Sequence, residues 1–252
     1  MQIYKNFMKL FIIPILLTVF SSVALALTHA VYPGESIQTA INNASAGDII
    51  AISPGVYTET VTINKDVLLT QIEGLGDVRI SGTVNVNRST IFKGFVVRDT
   101  VNINTSGSVK LLNNNVGHLN ISSGQLLAKN CTFRGVGSDG GSDTLIEFDN
   151  CLISSPGGIC RVNLDCEGSI ILKNCTINIH NMPGQNSSNC LRFGSNNYTK
   201  ELTKFVLYNC DINSYYPLIV DSLKSWIGYN RFSGSNVASN RSLELMNNFD
   251  KA

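Results

Sequence analysis

The feature that most constrains how this chain folds is a short repeat, in which apolar and polar residues alternate before an Asn that is followed by a Cys. Full copies of the repeat centre on Asn130, Asn150, Asn174 and Asn209. The equivalent position in weaker copies is occupied by Gly94, Asn113, Asn230 and Asn247. Most copies follow one another after roughly 20 residues, which is typical of one coil of a solenoid, and the longer intervals indicate inserted loops.

The side chains on either side of the Asn predict two strands joined by a turn. Four and two residues before it they are mostly apolar, as at Leu126 and Ala128, which is the alternation of a strand with one buried face. After the Asn, the buried parity shifts to the Cys and to the apolar residue two positions beyond it. One residue in the left-handed conformation produces this change, and Asn and Gly are the residues that tolerate it.

Stacking of such coils about 4.8 Å apart aligns the repeated residues into columns. The sequence therefore predicts a hydrogen-bonded ladder of Asn amides beside a buried column of thiols from Cys131, Cys151, Cys175 and Cys210. Lys129, Asp149 and Lys173 precede the Asn and face outward by the same parity, so we interpret Asp149 as part of a surface charge ladder.

The chain contains seven Cys, an odd number. We interpret the four in the repeats as buried core thiols, although neighbouring coils would also bring Cys131 and Cys151 within bridging range. Cys160, Cys166 and Cys190 lie off the ladder, and a disulfide among those three is the bridge that the spacing favours.

The two ends of the predicted solenoid differ. Ile37, Ala40, Ile41 and Ala44 share one face of a short helix that begins after Ser36, and such a helix would cover the apolar end of the first coil. The last repeat, 243–249, runs almost to the final residue without an obvious cap. Strands that are left uncovered at the end of a solenoid can pair with another chain, so our hypothesis is that the protein self-associates through this end.

Residues 1–26 have the features of a secretory signal peptide. Lys5 and Lys9 form a basic start, residues 10–20 are almost wholly apolar, and Ala24 and Ala26 supply small residues at the usual cleavage spacing. The apolar stretch is too short to span a bilayer as a helix. We therefore expect cleavage after Ala26, or secondly after Ala30, and a secreted, periplasmic or cell-surface domain over 27–252 with no membrane span.

The net charge and the positions of Cys and His limit the kinds of ligand that we expect the protein to bind. The chain has 19 Lys and Arg against 18 Asp and Glu, so it has no electrostatic reason to bind nucleic acid or anionic lipid. The three His are scattered, and no pair of Cys has zinc-type spacing with a His partner. We therefore expect no metal and no cofactor.

These residues resemble the right-handed parallel β-helix proteins of the pectin lyase-like superfamily over about 31–250. The resemblance is carried by the predicted capping helix, by Pro54-Gly55-Val56-Tyr57-Thr58-Glu59, by Gly74-Leu75-Gly76 and by the Asn-Cys repeats. Pectinesterases are the most similar family, because they too open with Gly-x-Tyr-x-Glu and repeat an aromatic-x-Asn-Cys step. The resemblance implies an all-β, single-stranded right-handed parallel β-helix with a short N-terminal capping helix, directed at a polysaccharide or cell-envelope glycan.

The resemblance also implies a site of two Asp and one Arg that hydrolyses methyl esters on an acidic glycan. Ser142-Asp143-Thr144-Leu145 keeps three letters of the family's Gln-Asp-Thr-Leu and implies that Asp143 is catalytic, with Asp139 as a competing candidate. Asp165 and Arg192 stand for the second Asp and the Arg, although the residues around them share little with the family's motifs. Asn115 falls where a substrate-binding Gln is expected.

Two other functions stay open on the same residues. One is a non-catalytic glycan-binding or structural cell-surface β-helix, in which Asp139 and Asp143 are ordinary turn residues beside Gly. The other is a calcium-dependent polysaccharide lyase, in which acidic residues between 139 and 167 hold the metal. A working esterase needs both Asp and the Arg within hydrogen-bond reach of one carboxyl group, so their placement discriminates between these functions.

Overall fold

A computed structural model describes residues 25–74, 76–141, 143–154, 162–164, 166–179, 191–193, 202–214, 218–220, 225–233, 237–239 and 243–250. At residues 191–192, 214, 218–219, 237–239 and 243–250 the description is confined to the backbone. The predicted signal peptide lies almost wholly outside these residues, so it stays a prediction. No helix among the described residues is long and apolar enough to cross a membrane.

The described chain consists of one short helix and a succession of strands. The helix is α1 (Ile37–Asn43). The strands are β1 (Thr28–Val31), β2 (Ile49–Ile52), β3 (Gly55–Tyr57), β4 (Val61–Ile63), β5 (Val67–Gln71), β6 (Val78–Ile80), β7 (Val84–Val86), β8 (Thr90–Lys93), β9 (Phe95–Leu112), β10 (Asn115–Lys129), β11 (Thr132–Ser138), β12 (Leu145–Asp149), β13 (Leu152–Ser154), β14 (Val162–Leu164), β15 (Ser169–Lys173), β16 (Thr176–Ile179), β17 (Leu191–Phe193), β18 (Lys204–Tyr208), β19 (Asp211–Ser214), β20 (Leu218–Val220), β21 (Ser225–Ser233), β22 (Val237–Ser239) and β23 (Leu243–Asp250).

All pairings between these strands are parallel, and each strand pairs with its equivalent in the next coil. The strands form three faces. Face I, before each Asn turn, runs through β2, β5, β8, the ends of β9 and β10, β12, β15 and β18. Face II, after the turn, includes β3, β6, β13, β16 and β19. Face III includes β4, β7, the middle of β9 and β10, the end of β11, β14 and β17. The prediction of a right-handed parallel β-helix is confirmed.

Between Gly94 and Tyr229, the turn between faces I and II depends on one left-handed residue per coil, as predicted. Positive φ angles between 50° and 58° occur at Asn113, Asn130, Asn150, Asn174, Asn209 and Tyr229, and Gly94 has a φ of 87°. The amide ladder forms between adjacent coils: Nδ2 of Asn150 donates to Oδ1 of Asn130 at 2.9 Å, and Asn209 donates likewise to Asn174 at 2.8 Å.

The ladder is interrupted once, between Asn150 and Asn174. Nδ2 of Asn174 donates instead to the Asp149 carboxylate at 3.0 Å, and Asp149 also lies 3.2 Å from Nζ of Lys129. The hydrogen bond from Asn174, and then Lys129, lower the pKa of Asp149 below its ordinary value. Asp149 is therefore an ionised member of the surface ladder, as its position in the repeat indicates.

A buried column runs inside the turns, one residue after the ladder. It contains the predicted thiols of Cys131, Cys151, Cys175 and Cys210, which are buried and unbridged. Buried Asn114 and Asn230 continue the column at its two ends. The prediction that Asn230 lies at the turn is wrong, because Tyr229 has the positive φ and Asn230 is 2% exposed.

Members of the buried column bind backbone groups of the preceding coil. Oδ1 of Asn114 accepts from the N–H of Phe95 at 2.9 Å. Cys210 does the same with sulfur: Sγ accepts from the N–H of Cys175 at 3.4 Å and donates to the Leu172 carbonyl at 3.6 Å. The thiols are therefore more than apolar filling, because they satisfy polar groups that the turn leaves inside the solenoid.

The column keeps the Cys131 thiol in its protonated form. A hydrogen bond with Cys151, and then burial, raise the pKa of the Cys131 thiol far above its usual range. A protonated thiol is a poor nucleophile, which agrees with a core role. Cys160 and Cys190 lie outside the described residues and Cys166 is buried, so the disulfide expected among these three stays a prediction.

Helix α1 closes the first coil through its apolar face and its capped N-terminus. Ile37 and Ile41 are fully buried, and the Ser36 hydroxyl accepts from the N–H of Thr39 at 3.1 Å. The carboxylate of Glu59 accepts from the N–H groups of Ile37 and Gln38 at 2.8 and 3.1 Å. Glu59 of the Gly-x-Tyr-x-Glu motif therefore has a structural role, since a carboxylate stabilises a helix N-terminus.

Asp48 ties the first strand to the segment after α1. Its buried carboxylate accepts from the N–H of Leu27 at 2.9 Å and from the N–H of Ser45 at 2.8 Å, and it lies 3.0 Å from Nε2 of His29. The far end of the solenoid is described as backbone only, so self-association there stays a prediction.

We predict that Cys210→Ala destabilises the protein more than Cys210→Asn does. Alanine leaves the Cys175 N–H and the Leu172 carbonyl without their partner, which costs about 1–3 kcal/mol. Asn can donate and accept at this position, as Asn114 and Asn230 do in the same column. Urea unfolding of both variants measures the difference, and equal destabilisation would mean that the thiol serves only as apolar volume.

We also predict a pH-dependent effect of Asp48→Asn. Hydrogen bonds from the N–H groups of Ser45 and Leu27, and then from His29, lower the pKa of Asp48 to about 2. This stabilisation is present above about pH 4 and is lost as the pH falls through about 2. Thermal melting should therefore show a gap between wild type and variant at neutral pH that closes in acid. A gap that stays constant down to pH 2 would contradict this assignment.

Candidate functional site

A polar groove of about 750 Å³ lies on face III. Strand alternation creates it: Val84, Val101 and Leu119 point inward and are buried, while their neighbours point out. The groove is lined by Thr62, Asn85, Asn87, Asn102, Ile103, Asn104, His118, Asn120, Ile121, Ser122, Gly135, Val136, Gly137, Ser138, Asp139 and Asn163.

A second amide ladder runs along the floor of this groove. Asn85, Asn102 and Asn120 occupy the same register position in successive coils. Nδ2 of Asn102 donates to Oδ1 of Asn85 at 3.0 Å, and Nδ2 of Asn120 donates to Oδ1 of Asn102 at 3.1 Å. The amides are thereby held in one orientation, at the spacing of the coils.

The ladder stops at Gly137, which follows Asn120 in register and precedes Asn163. A Cβ atom at Gly137 would lie 3.4 Å from Oδ1 of Asn120 and 3.9 Å from the Asn163 carbonyl, so a side chain would fit but none is present. Oδ1 of Asn163 is buried and has no hydrogen-bond partner among the described residues. The result is a slot at Gly137 in which Oδ1 of Asn120 has no amide neighbour, while Oδ1 of Asn163 is enclosed by protein atoms.

The groove is almost uncharged. Among its described lining residues, Asp139 is the one carboxylate and no Lys or Arg is present, while His118 lies exposed beside Gly135. The arrangement therefore offers many neutral donors and acceptors, and one anionic group at its edge.

The structure describes the predicted catalytic residues only in part. Asp139 lines the groove, whereas Asp143 is exposed on the turn that leads from face III to face I. Asp165 lies outside the described residues. Arg192 follows Asn163 in register on face III, and its side chain is not part of the description. Asn115 is exposed on face II, where it pairs with Val96 and Thr132, and so lies on a different face from the groove.

The acidic cluster between 139 and 167 is also divided. Glu147 forms an ion pair with Lys173 at 2.9 Å on face I, and Asp149 belongs to the surface ladder. Within the described ranges, no group of three or more His, Cys, Asp and Glu side chains could hold a metal ion. The calcium-dependent lyase hypothesis therefore gains no support from the described residues.

Comparison of the chain with known protein families, with curated proteins and with solved structures finds no match. The parallel β-helix therefore rests on the strand pairings of this structure, and the resemblance to pectinesterases stays a prediction.

Apart from Asp139, the residues of the groove were not among those singled out in the sequence. A signal for them exists, because Asn85, Asn102 and Asn120 recur with nearly the same spacing as the Asn turns. Without the register of the coils, these Asn cannot be told apart from the many other Asn of the chain.

We predict that Gly137→Asn raises the stability of the protein relative to Gly137→Ala. The new amide would extend the ladder and donate to Oδ1 of Asn120, and a net hydrogen bond of this kind contributes about 0.5–1.5 kcal/mol. Both variants add a Cβ atom and remove the backbone freedom of Gly137, so the difference between them reports the added carboxamide. Chemical denaturation measures the difference, and an Asn variant no more stable than the Ala variant would show that the ladder cannot continue through this slot.

Proposed function

We propose that this protein is a non-catalytic glycan-binding β-helix that takes a linear polysaccharide along the groove of face III. The observation that supports the proposal most directly is the fixed column of amides, which ends beside the side-chain-free slot at Gly137. Sugar hydroxyls both donate and accept, and Asn amides match them in both roles. Coil spacing of about 4.8 Å also lies close to the repeat of a pyranose chain.

The charge of the groove favours a neutral or esterified glycan over an acidic one. A polyuronate would meet the carboxylate of Asp139 with no Lys or Arg among the described lining residues to balance it. Like charges in contact are unfavourable, so we infer that an uncharged hydroxyl-rich chain is the better ligand. Export by the predicted signal peptide would bring the groove to such glycans.

The esterase remains a second candidate because of one placement. Asp139 and the backbone of Arg192 share face III, two coils apart, which corresponds to roughly 10 Å. A second carboxylate would have to come from Asp165 or from the turn that carries Asp143.

The test compares two Asn on the same strand β10. Isothermal titration with cellohexaose should show about 2- to 10-fold weaker binding for Asn120→Ala, since one hydrogen-bonding amide is lost. Asn115→Ala on face II should bind like wild type. Gly137→Asn, which closes the slot, should weaken binding without loss of stability.

Three results would overturn the proposal. The first is equal binding of cellohexaose to wild type and Asn120→Ala, and the second is weaker binding to Asn115→Ala than to Asn120→Ala. Release of methanol from methyl-esterified pectin that disappears in Asp139→Asn or Asp165→Ala would instead identify an esterase.

A further inference from the structure

Tyr229 departs from the rule that governs the other turns. Its φ is 58°, and every other described turn residue with positive φ between faces I and II is Asn or Gly. A bulky aromatic residue in this region is strained. It also ends the amide ladder, because Asn209 meets no amide in the next coil. Asn at 229 would be the local choice, so the tyrosine needs another explanation.

Two further aromatic side chains surround Tyr229 and form what we term the aromatic cluster: Tyr208, Trp226 and Tyr229. The ring centroids of Tyr208 and Trp226 lie 5.4 Å apart, and that of Tyr229 lies 5.6 Å from Tyr208 and 6.4 Å from Trp226. Tyr229 is 60% exposed and Tyr208 is 39% exposed. The cluster is therefore an open surface rather than a part of the core.

Gly228 makes room for the cluster. A Cβ atom at this position would lie 2.7 Å from the ring of Trp226, so the indole covers the backbone where any other residue would displace it. Gly228 takes the place that Tyr208 holds in the preceding coil. Where the three rings meet, the chain therefore has a tyrosine in a strained conformation, Tyr229, directly after a glycine whose missing side chain leaves room for the indole of Trp226.

The size and surroundings of the cluster indicate what it binds. Three rings present at most a few hundred Å², well below the roughly 800 Å² per partner of a standard protein interface. Polar residues are close to the rings in the chain: Asn209 follows Tyr208, and Arg231, which forms an ion pair with Asp211 at 3.1 Å, lies two residues after Tyr229. An apolar ring face with hydroxyls around its edge fits such a surface, and a pyranose has this form.

We propose that the aromatic cluster is a second carbohydrate-binding site, which stacks the apolar face of a pyranose ring on Tyr208, Trp226 and Tyr229. The inference rests on the proposed function for its class of ligand, but it involves no residue of the groove. It lies on the edge between faces I and II, whereas the groove lies on face III.

Trp226 is the one tryptophan of the chain, so its fluorescence reports this site alone. Titration with cellohexaose, whose equatorial hydroxyls leave both ring faces apolar, should shift or quench the emission of Trp226. Sorbitol, an open-chain polyol without a ring face, is the matched control and should have no effect. Asn120→Ala should leave the response unchanged, because that variant alters the groove only.

Tyr229→Asn provides the decisive variant. Because it relieves the strained turn and extends the ladder, its melting temperature should rise by a few degrees. The cellohexaose concentration that gives half of the fluorescence change should rise at least about fivefold, since one stacking ring is lost. An unchanged response in this variant, no response in wild type, or a lower melting temperature would overturn the inference. Weaker calorimetric binding in Asn120→Ala with an unchanged Trp226 response would separate the two sites.

Discussion

From Gly94 to Tyr229, the structure depends on one left-handed residue in each coil. This residue turns the chain from face I to face II while keeping the strands of both faces in parallel register with the coil below. Asn suits the position twice, because its backbone tolerates a positive φ and its amide binds the next Asn. A single residue type thus makes the turn and also contributes hydrogen bonds that hold adjacent coils together.

The buried column supplies hydrogen-bond partners for backbone groups that the turn leaves without one. A left-handed residue directs backbone N–H and carbonyl groups into an interior that water does not reach, and unpaired groups there are costly. Asn and Cys are both used because each combines a donor with an acceptor in a similar volume. At the two ends of the column, Asn114 and Asn230 occupy the position that Cys has in the middle. Each amide oxygen accepts a hydrogen bond from a backbone N–H group, as the thiols do, so hydrogen bonding to the backbone is what the members of the column share.

Function on such a scaffold lies on the outward side chains, and the fold alone does not determine it. Both proposed sites arise where an outward pattern is broken. Gly137 interrupts a ladder of amides and leaves Asn120 without an amide neighbour on that side, while Tyr229 replaces the expected Asn and creates an aromatic surface. Regular repeats therefore make departures from the repeat informative about binding.

The sequence by itself determined the fold class, the turn residues, the buried thiols and the helix that covers the first coil. These features follow from local conformational preference and from alternation, which are written in neighbouring residues. Only the tertiary structure decided that Asn85, Asn102 and Asn120 form a groove floor, that Asn115 lies on another face, and that Tyr229 rather than Asn230 makes the turn. Such relations depend on the register between coils roughly 20 residues apart, and a one-residue change of register moves a side chain from the surface to the core.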